Sequence, residues 1–247
     1  MTNDTLRVVV VSGASGNIGR ACVRRLATEG TAIVAGYHHG ADAIQAVRAE
    51  AETHGVVCVP VKADVSESGG AEMLVEAAMT RFGRVDGCVA AAAVLLRRPA
   101  LATDAATLNH LLRVNVGGSV ALARACLRPM MRARHGRIVL LGSWAGQRGL
   151  PGQSAYAASK GALEPWAASV AGEVGRQGVT VNVVAPGVVD DGSPQHSVEE
   201  ATKVRELIGA RRPAKLEEIT TAVSFLLSEG ASYVNGTTLR VDGGARF

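Results

Sequence analysis

Residues 6–11 are mainly apolar, a turn Ser12-Gly13-Ala14-Ser15-Gly16-Asn17-Ile18-Gly19 follows, and Cys22, Val23 and Leu26 then recur at helical spacing. Nothing else in the chain restricts its fold as much. A short apolar run ended by glycine reads as a buried strand, and apolar residues three or four apart read as one face of a helix. Strand, glycine turn and helix in that order bring backbone N–H groups to a helix N-terminus, where they and the helix dipole favour an anion such as a pyrophosphate. A lone glycine turn is a weak signal, but here more strand–helix alternation follows it. Gly13, Ser15, Gly16, Asn17, Ile18 and Gly19 are therefore the first candidate cofactor-binding residues.

The alternation continues to the C-terminus. Strands are predicted over residues 31–36, 56–61, 85–93, 139–141, 179–184 and 238–241. Between them, apolar faces are marked by Ile44, Val47 and Ala51, by Leu74, Ala78 and Phe82, and by Leu216, Ile219, Val223 and Leu226. A long helix over about 104–134 carries Leu108, Leu111, Leu122 and Cys126, with Asn115 on the same stripe. The expected fold is a single α/β domain over residues 1–247, a doubly wound, mostly parallel seven-stranded sheet with helices on both faces. A chain of 247 residues with 47% hydrophobic content can bury one large core. Residues 190–213, rich in Gly, Pro and charge, read as a substrate lid, and Pro165 should kink the helix that contains it.

Several function classes are disfavoured. No apolar run approaches the roughly 20 residues that span a bilayer, and MTNDTLR lacks the layout of a signal peptide, so a cytoplasmic protein is expected. Cys22, Cys58, Cys88 and Cys126 lack metal-ligand spacing and read as reduced core thiols, with no metal expected. A net charge of +4 suits an anionic cofactor or partner, while 3% aromatic content and dispersed basic residues argue against nucleic acid.

The second informative stretch is Ser143 to Lys160, SWAGQRGLPGQSAYAASK. Gly142 ends a strand, a loop runs through Gly146, Gly149 and Pro151-Gly152, and Ser154 is placed to cap the next helix. Tyr156 and Lys160 share a helical face, so an ammonium beside a phenol would lower a pKa that is ordinarily about 10. Such a tyrosine can protonate a ketone oxygen, and Ser143 at the strand end can steady the same oxygen.

Together these motifs, with HGRIVLLGS, SAYAASKGAL, GVTVNVVAPG and VNGTTLRVDGG, resemble the short-chain dehydrogenase/reductase family over nearly the whole chain. The branch they look most like is the β-ketoacyl-carrier-protein reductases of fatty-acid and polyketide synthesis. The resemblance implies Ser143, Tyr156 and Lys160 as catalytic residues. It also implies that Asn115 interrupts its helix and holds a water behind the lysine. It places Asp64 at the adenine edge and adds Val65, Ala91, Pro186, Gly187 and Val189, with Tyr156 and Lys160, to the cofactor contacts. Tyr37, His38 and His39 follow the second strand, where an acid would bind an adenosine ribose hydroxyl. No acid occurs there before Asp42, and histidines can donate to a phosphate, so NADP (as NADPH) is expected over NAD.

Three departures stand out. Relatives usually carry Asn-Asn-Ala-Gly where this chain has Ala90-Ala91-Ala92-Ala93, which removes local bracing. Asn17 stands at the middle glycine, where a tolerance of left-handed backbone would let the turn form. Asp191 replaces a common threonine and should turn away from the cofactor. The expected substrate is a ketone, either tethered to an acidic carrier protein or free. Arg132, Arg134 and Arg137, with Arg176 beside Gln177, offer a basic docking surface. A tailoring reductase for free ketones is the runner-up, and a catalytically silent dinucleotide sensor is a third reading. The resemblance also implies a homotetramer.

Overall fold

A computed structural model describes residues 6–190 and 206–246. In chain order the elements are β1 (Val8–Ser12), α1 (Asn17–Thr28), β2 (Ala32–Tyr37), α2 (Ala41–Glu52), β3 (Cys58–Lys62), α3 (Gly70–Phe82) and β4 (Gly87–Ala90). There follow α4 (Ala105–Leu111), a π-helical turn (Leu112–Gly118), α5 (Ser119–Ala133), β5 (Gly136–Leu141), α6 (Trp144–Arg148), α7 (Ser154–Gly161), α8 (Leu163–Val174) and β6 (Val179–Pro186). The chain closes with β7 (Val189–Asp190), β8 (Ala214–Lys215), α9 (Leu216–Leu227) and β9 (Thr238–Val241). The main sheet has seven strands in the order β3-β2-β1-β4-β5-β6-β9, every neighbouring pair parallel, which is the doubly wound topology expected.

The valine run of β1 shows why this sequence makes a sheet covered on both faces. Val8 and Val10 join the core shared with α3, α5 and α8, whereas Val9 and Val11 join the core shared with α1, α2 and α9. All four are fully buried. A strand buried on both faces has no polar side to show, so its sequence is continuous rather than alternating. Full burial of one such side chain is worth roughly 1.5–3 kcal/mol. The four cysteines are likewise buried and free. Among the described residues no helix is long and apolar enough to cross a membrane.

The long helix is interrupted at Asn115 as the resemblance implied, by a π turn. Four local expectations change. The strand expected over 85–93 is ordered as β only through Ala90. The loop expected after Gly142 contains α6, and Ser154 is the first residue of α7 rather than its cap, which is Gln153. Pro165 causes no interior break, because the helix divides at Ala162 and Pro165 falls in the first turn of α8. N–H groups there lack intrahelical partners, so the missing one costs little.

Of the expected lid, 191–205 lies outside the described residues, and Asp191 with it. Its base is held by the parallel pairing of Val189 with Ala214 and Asp190 with Lys215. Ile208 bridges to Ala245, and Arg246 N–H donates to the Leu207 carbonyl, which fastens the described end to the C-terminal tail.

Candidate active site

The glycine turn after β1 forms as a close-packed cradle. Gly13 adopts φ 63°, and a Cβ there would lie 2.7 Å from both Ala92 Cα and Ala92 N. A Cβ on Gly19 would run into the Gly13 carbonyl oxygen. Gly16 caps α1 in extended geometry, no side chain hydrogen-bonds to the cap and no acid occupies the first turn. The N-terminus of α1 is thus open to an anion, and the residues fit a dinucleotide's pyrophosphate. Asn17 needs none of the left-handed tolerance expected of it, since it is not among the positive-φ residues. The bracing thought lost with the alanines is supplied elsewhere. Ser12 Oγ accepts from Ala92 N–H at 3.2 Å, and Asn115 holds Val94 by two bonds, accepting its N–H at 2.7 Å and donating to its carbonyl at 3.0 Å.

A cleft of about 390 Å³ opens beside this turn. Of the cofactor candidates, Gly13, Ser15, Gly16, His38, His39, Asp64, Val65 and Ala91 line it. Asp64 is not a helix cap, because α3 begins only at Gly70. It accepts instead from the Ser66 N–H and hydroxyl, and these bonds with nearby positive charge outweigh burial and lower its pKa. Other candidates sit elsewhere. Ile18, Tyr37 and Val189 pack against the core, so Tyr37 does not join the two histidines in the cleft. Pro186 ends β6, and a Cβ on Gly187 would lie 2.8 Å from Asp242 Cα, so that glycine is required by the C-terminal strand. His110 and Arg113 line the cleft from α4 and the π turn, and the sequence reading missed both. Their spacing of three on one helical face was the available signal.

The candidate catalytic groups meet where β5 ends. Ser143 is buried, accepts from the Ala145 N–H at 3.2 Å as the cap of α6, and is near enough to Tyr156 to lower its pKa. Lys160 is 2% exposed, and its Nζ donates to the Leu141 carbonyl at 2.7 Å. Burial lowers the lysine pKa to about 8. The phenol of Tyr156 does not follow the expected direction. Burial raises its pKa, and the nearby Ser143 hydroxyl offsets only part of that. Physically, a desolvated phenol resists ionisation, and the lysine's ammonium is engaged with a backbone carbonyl. Tyr156 is therefore a neutral donor with its proton in place. Lys160 keeps most of its charge at neutral pH.

Asn115 reaches the site through packing. Its Nδ2 donates to Ser159 Oγ at 2.9 Å, and that hydroxyl donates to the Tyr156 carbonyl at 2.7 Å. The amide thus ties Val94 to the helix that carries Tyr156 and Lys160, while the Asn115 backbone carbonyl accepts from the Ser119 hydroxyl. A Cβ on Gly118 would meet Val65 Cγ2 at 2.9 Å, which explains a glycine in the π turn. Ser159 and the paired Gly146 and Gly161 were also missed. A Cβ on Gly146 would stand 2.6 Å from Gly161 N, so α6 and α7 pack backbone to backbone.

Comparison with known proteins agrees with this geometry. Residues 13–246 match a family described as enoyl-(acyl carrier protein) reductase. The chain is 34% identical over 241 residues to 3-oxoacyl-[acyl-carrier-protein] reductase of Escherichia coli K12, covering 96% of each protein. The crystal structure of levodione reductase superposes with TM-score 0.90 at 30% identity, covering 96% of each chain. An NAD+-bound xylitol dehydrogenase gives 0.89 at 28% identity, covering 96% of this chain and 98% of that one. With the doubly wound sheet and the Ser143, Tyr156 and Lys160 arrangement, these place the protein in the short-chain dehydrogenase/reductase family, whose members bind a nicotinamide dinucleotide.

Proposed function

We propose that the protein uses NADPH to reduce a β-ketoacyl group, borne by an acyl carrier protein of fatty-acid or polyketide synthesis, to a secondary alcohol. The observation that carries this reading is the Tyr156 phenol under the influence of the buried Ser143 hydroxyl, one helical turn from a buried Lys160. A bound dinucleotide supplies the hydride. Tyr156 gives its proton to the carbonyl oxygen as charge develops there, Ser143 orients that oxygen, and Lys160 stabilises the phenolate left behind and holds the cofactor ribose. Asn115 keeps α7 in register with the cofactor cleft through Ser159 and Val94. Gly13, Ser15, Gly16, Asn17, Ile18 and Gly19 hold the pyrophosphate end, and His38, His39, Asp64, Val65 and Ala91 hold the adenosine end. Pro186, Gly187 and Val189 face the nicotinamide end. The histidines, with no acid in the turn before Asp42, support NADPH.

Carrier docking is supported by a smaller basic surface than the sequence suggested. Arg137 is withdrawn from it, since it is 4% exposed, pairs with Glu229 at 3.0 Å and donates to the Gly178 carbonyl. Arg134 remains exposed and donates to the Arg176 carbonyl at 3.0 Å, so these two arginines stand together. The test compares one β-ketoacyl group on a carrier protein and as a small thioester, in wild type and in Arg134→Glu with Arg176→Glu. The carrier-borne substrate should have the higher kcat/KM at low salt, and the charge reversals should remove that advantage. If the carrier gives no advantage, or the reversals leave it intact, reduction of a free ketone replaces this reading.

The same reading includes a homotetramer. The outer edge of β9, the half-exposed Phe225 on α9 and the fully exposed Tyr233 support pairing of chains along the C-terminal side. Light scattering at micromolar concentration should give the mass of four chains. A monomer would contradict it.

A further inference from the structure

We propose that Arg113 is a positioning residue, which carries occupancy of the adenosine end of the cleft to the helix that holds Tyr156 and Lys160. The inference rests on the function proposed above and adds to it a residue that has no part in the chemistry there. Arg113 lies in the π turn (Leu112–Gly118), two positions before Asn115, and lines the cleft. Its guanidinium crosses to the segment between β3 and α3, where it pairs with Glu67 and donates to Ser66 Oγ at 3.4 Å. Ser66 gives its own N–H and hydroxyl to Asp64 Oδ1, at 2.9 and 2.7 Å, and Asp64 and Val65 form the cleft wall at that point.

Packing ties the same two segments together. Gly118 closes the π turn, and a Cβ on it would stand 2.9 Å from Val65 Cγ2 and 3.5 Å from Ser66 N, so the turn lies directly against the wall segment. The far side of the turn is held as closely. Asn115 accepts from the Val94 N–H and donates to the hydroxyl of Ser159, which stands on α7 between Tyr156 and Lys160. Within one turn, Arg113 therefore reaches the wall that an adenosine would touch and Asn115 reaches the helix of the reacting groups. A ligand that orders Asp64, Val65 and Ser66 fixes one end of a short tether whose other end is α7.

The strength of the link suits this role. The Arg113 and Glu67 side chains are 49% and 63% exposed, and an exposed pair adds too little to hold a fold together but enough to bias a position. Binding of a remote, unreacting part of a ligand raises kcat when it is used to place the reacting part, and lowers only KM when it is not. Adenosine bound in the cleft should therefore act on kcat, and it should do so through Arg113 and Glu67.

The test divides the dinucleotide. Hydride is offered to the full chain as saturating reduced nicotinamide mononucleotide with a β-ketoacyl thioester, and AMP or adenosine 2′,5′-bisphosphate is added separately, so the result does not depend on which dinucleotide is preferred. In wild type one of the adenosine fragments should raise kcat about fivefold, the scale of one exposed ion pair. Arg113→Gln and Glu67→Gln should each lose that activation, and the double variant should lose no more than either, because the two side chains act as a unit. Glu67 does not line the cleft, so its variant leaves the ligand contacts in place. Arg113→Lys, which keeps a charge for Glu67, should regain most of the effect. No activation in wild type, a change in KM alone, or activation that survives in Glu67→Gln would overturn the inference. Absence of turnover with whole NADPH and whole NADH would instead remove the proposed function, and this inference with it.

Discussion

Tyr156→Phe should bind NADP+ as wild type does and turn over about a thousandfold more slowly, the usual size of a lost general acid. The ring still packs beside Trp144 and Ala157, so the fold keeps its local core. Only the hydroxyl near Ser143 goes, and with it the proton that the proposed mechanism gives to the carbonyl oxygen. Because the group acts in the transition state, kcat should fall while cofactor affinity stays put. Burial holds the phenol protonated and leaves Lys160 mostly charged at neutral pH, so the neutral-donor form is the resting state. Turnover within a few-fold of wild type would rule out Tyr156 as the donor.

Gly146→Ala should cost about a hundredfold in kcat, the scale of a misplacement near 1 Å. The added Cβ would lie 2.6 Å from Gly161 N and 2.9 Å from Lys160 C, both backbone atoms, whereas ordinary contact begins at 3.4 Å. Something must move by most of an ångström. What moves is the join between α6, which Ser143 caps, and α7, which carries Tyr156 and Lys160. Steady-state kinetics checks this. Gly172→Ala on α8 is the control, because a Cβ there meets nothing within 4 Å and kcat should be unchanged. Equal kcat in the Gly146 and Gly172 variants would show that the close packing carries no catalytic weight.

How much of this was legible in the sequence depends on the range of the interaction. The sheet was legible because each parallel strand is a local apolar run, and Val8 to Val11 report their burial without help from distant residues. The placement of the candidate trio was legible because Tyr156 and Lys160 lie one turn apart and Ser143 ends a strand. The break at Asn115 came from the resemblance alone, since two adjacent glycines permit a π turn but do not require one. Long-range contacts were not readable. The Asn115–Ser159 bond spans 44 positions, and the close approach of Gly146 to Gly161 depends on how two helices cross. The raised Tyr156 pKa was missed for the same reason, because helical spacing shows a nearby ammonium but not the burial that outweighs it. Arg137 was misread because basic residues look alike in sequence. Its place in β5 puts it inside, against Glu229.

The most direct test of ketone reduction is to run wild type with NADPH carrying deuterium at the transferable position and a β-ketoacyl thioester. One deuterium should appear on the carbinol carbon of the β-hydroxyacyl product for each cofactor oxidised. No oxidation with any ketone offered, or label transferred only into the saturated chain of an enoyl thioester, would contradict the account.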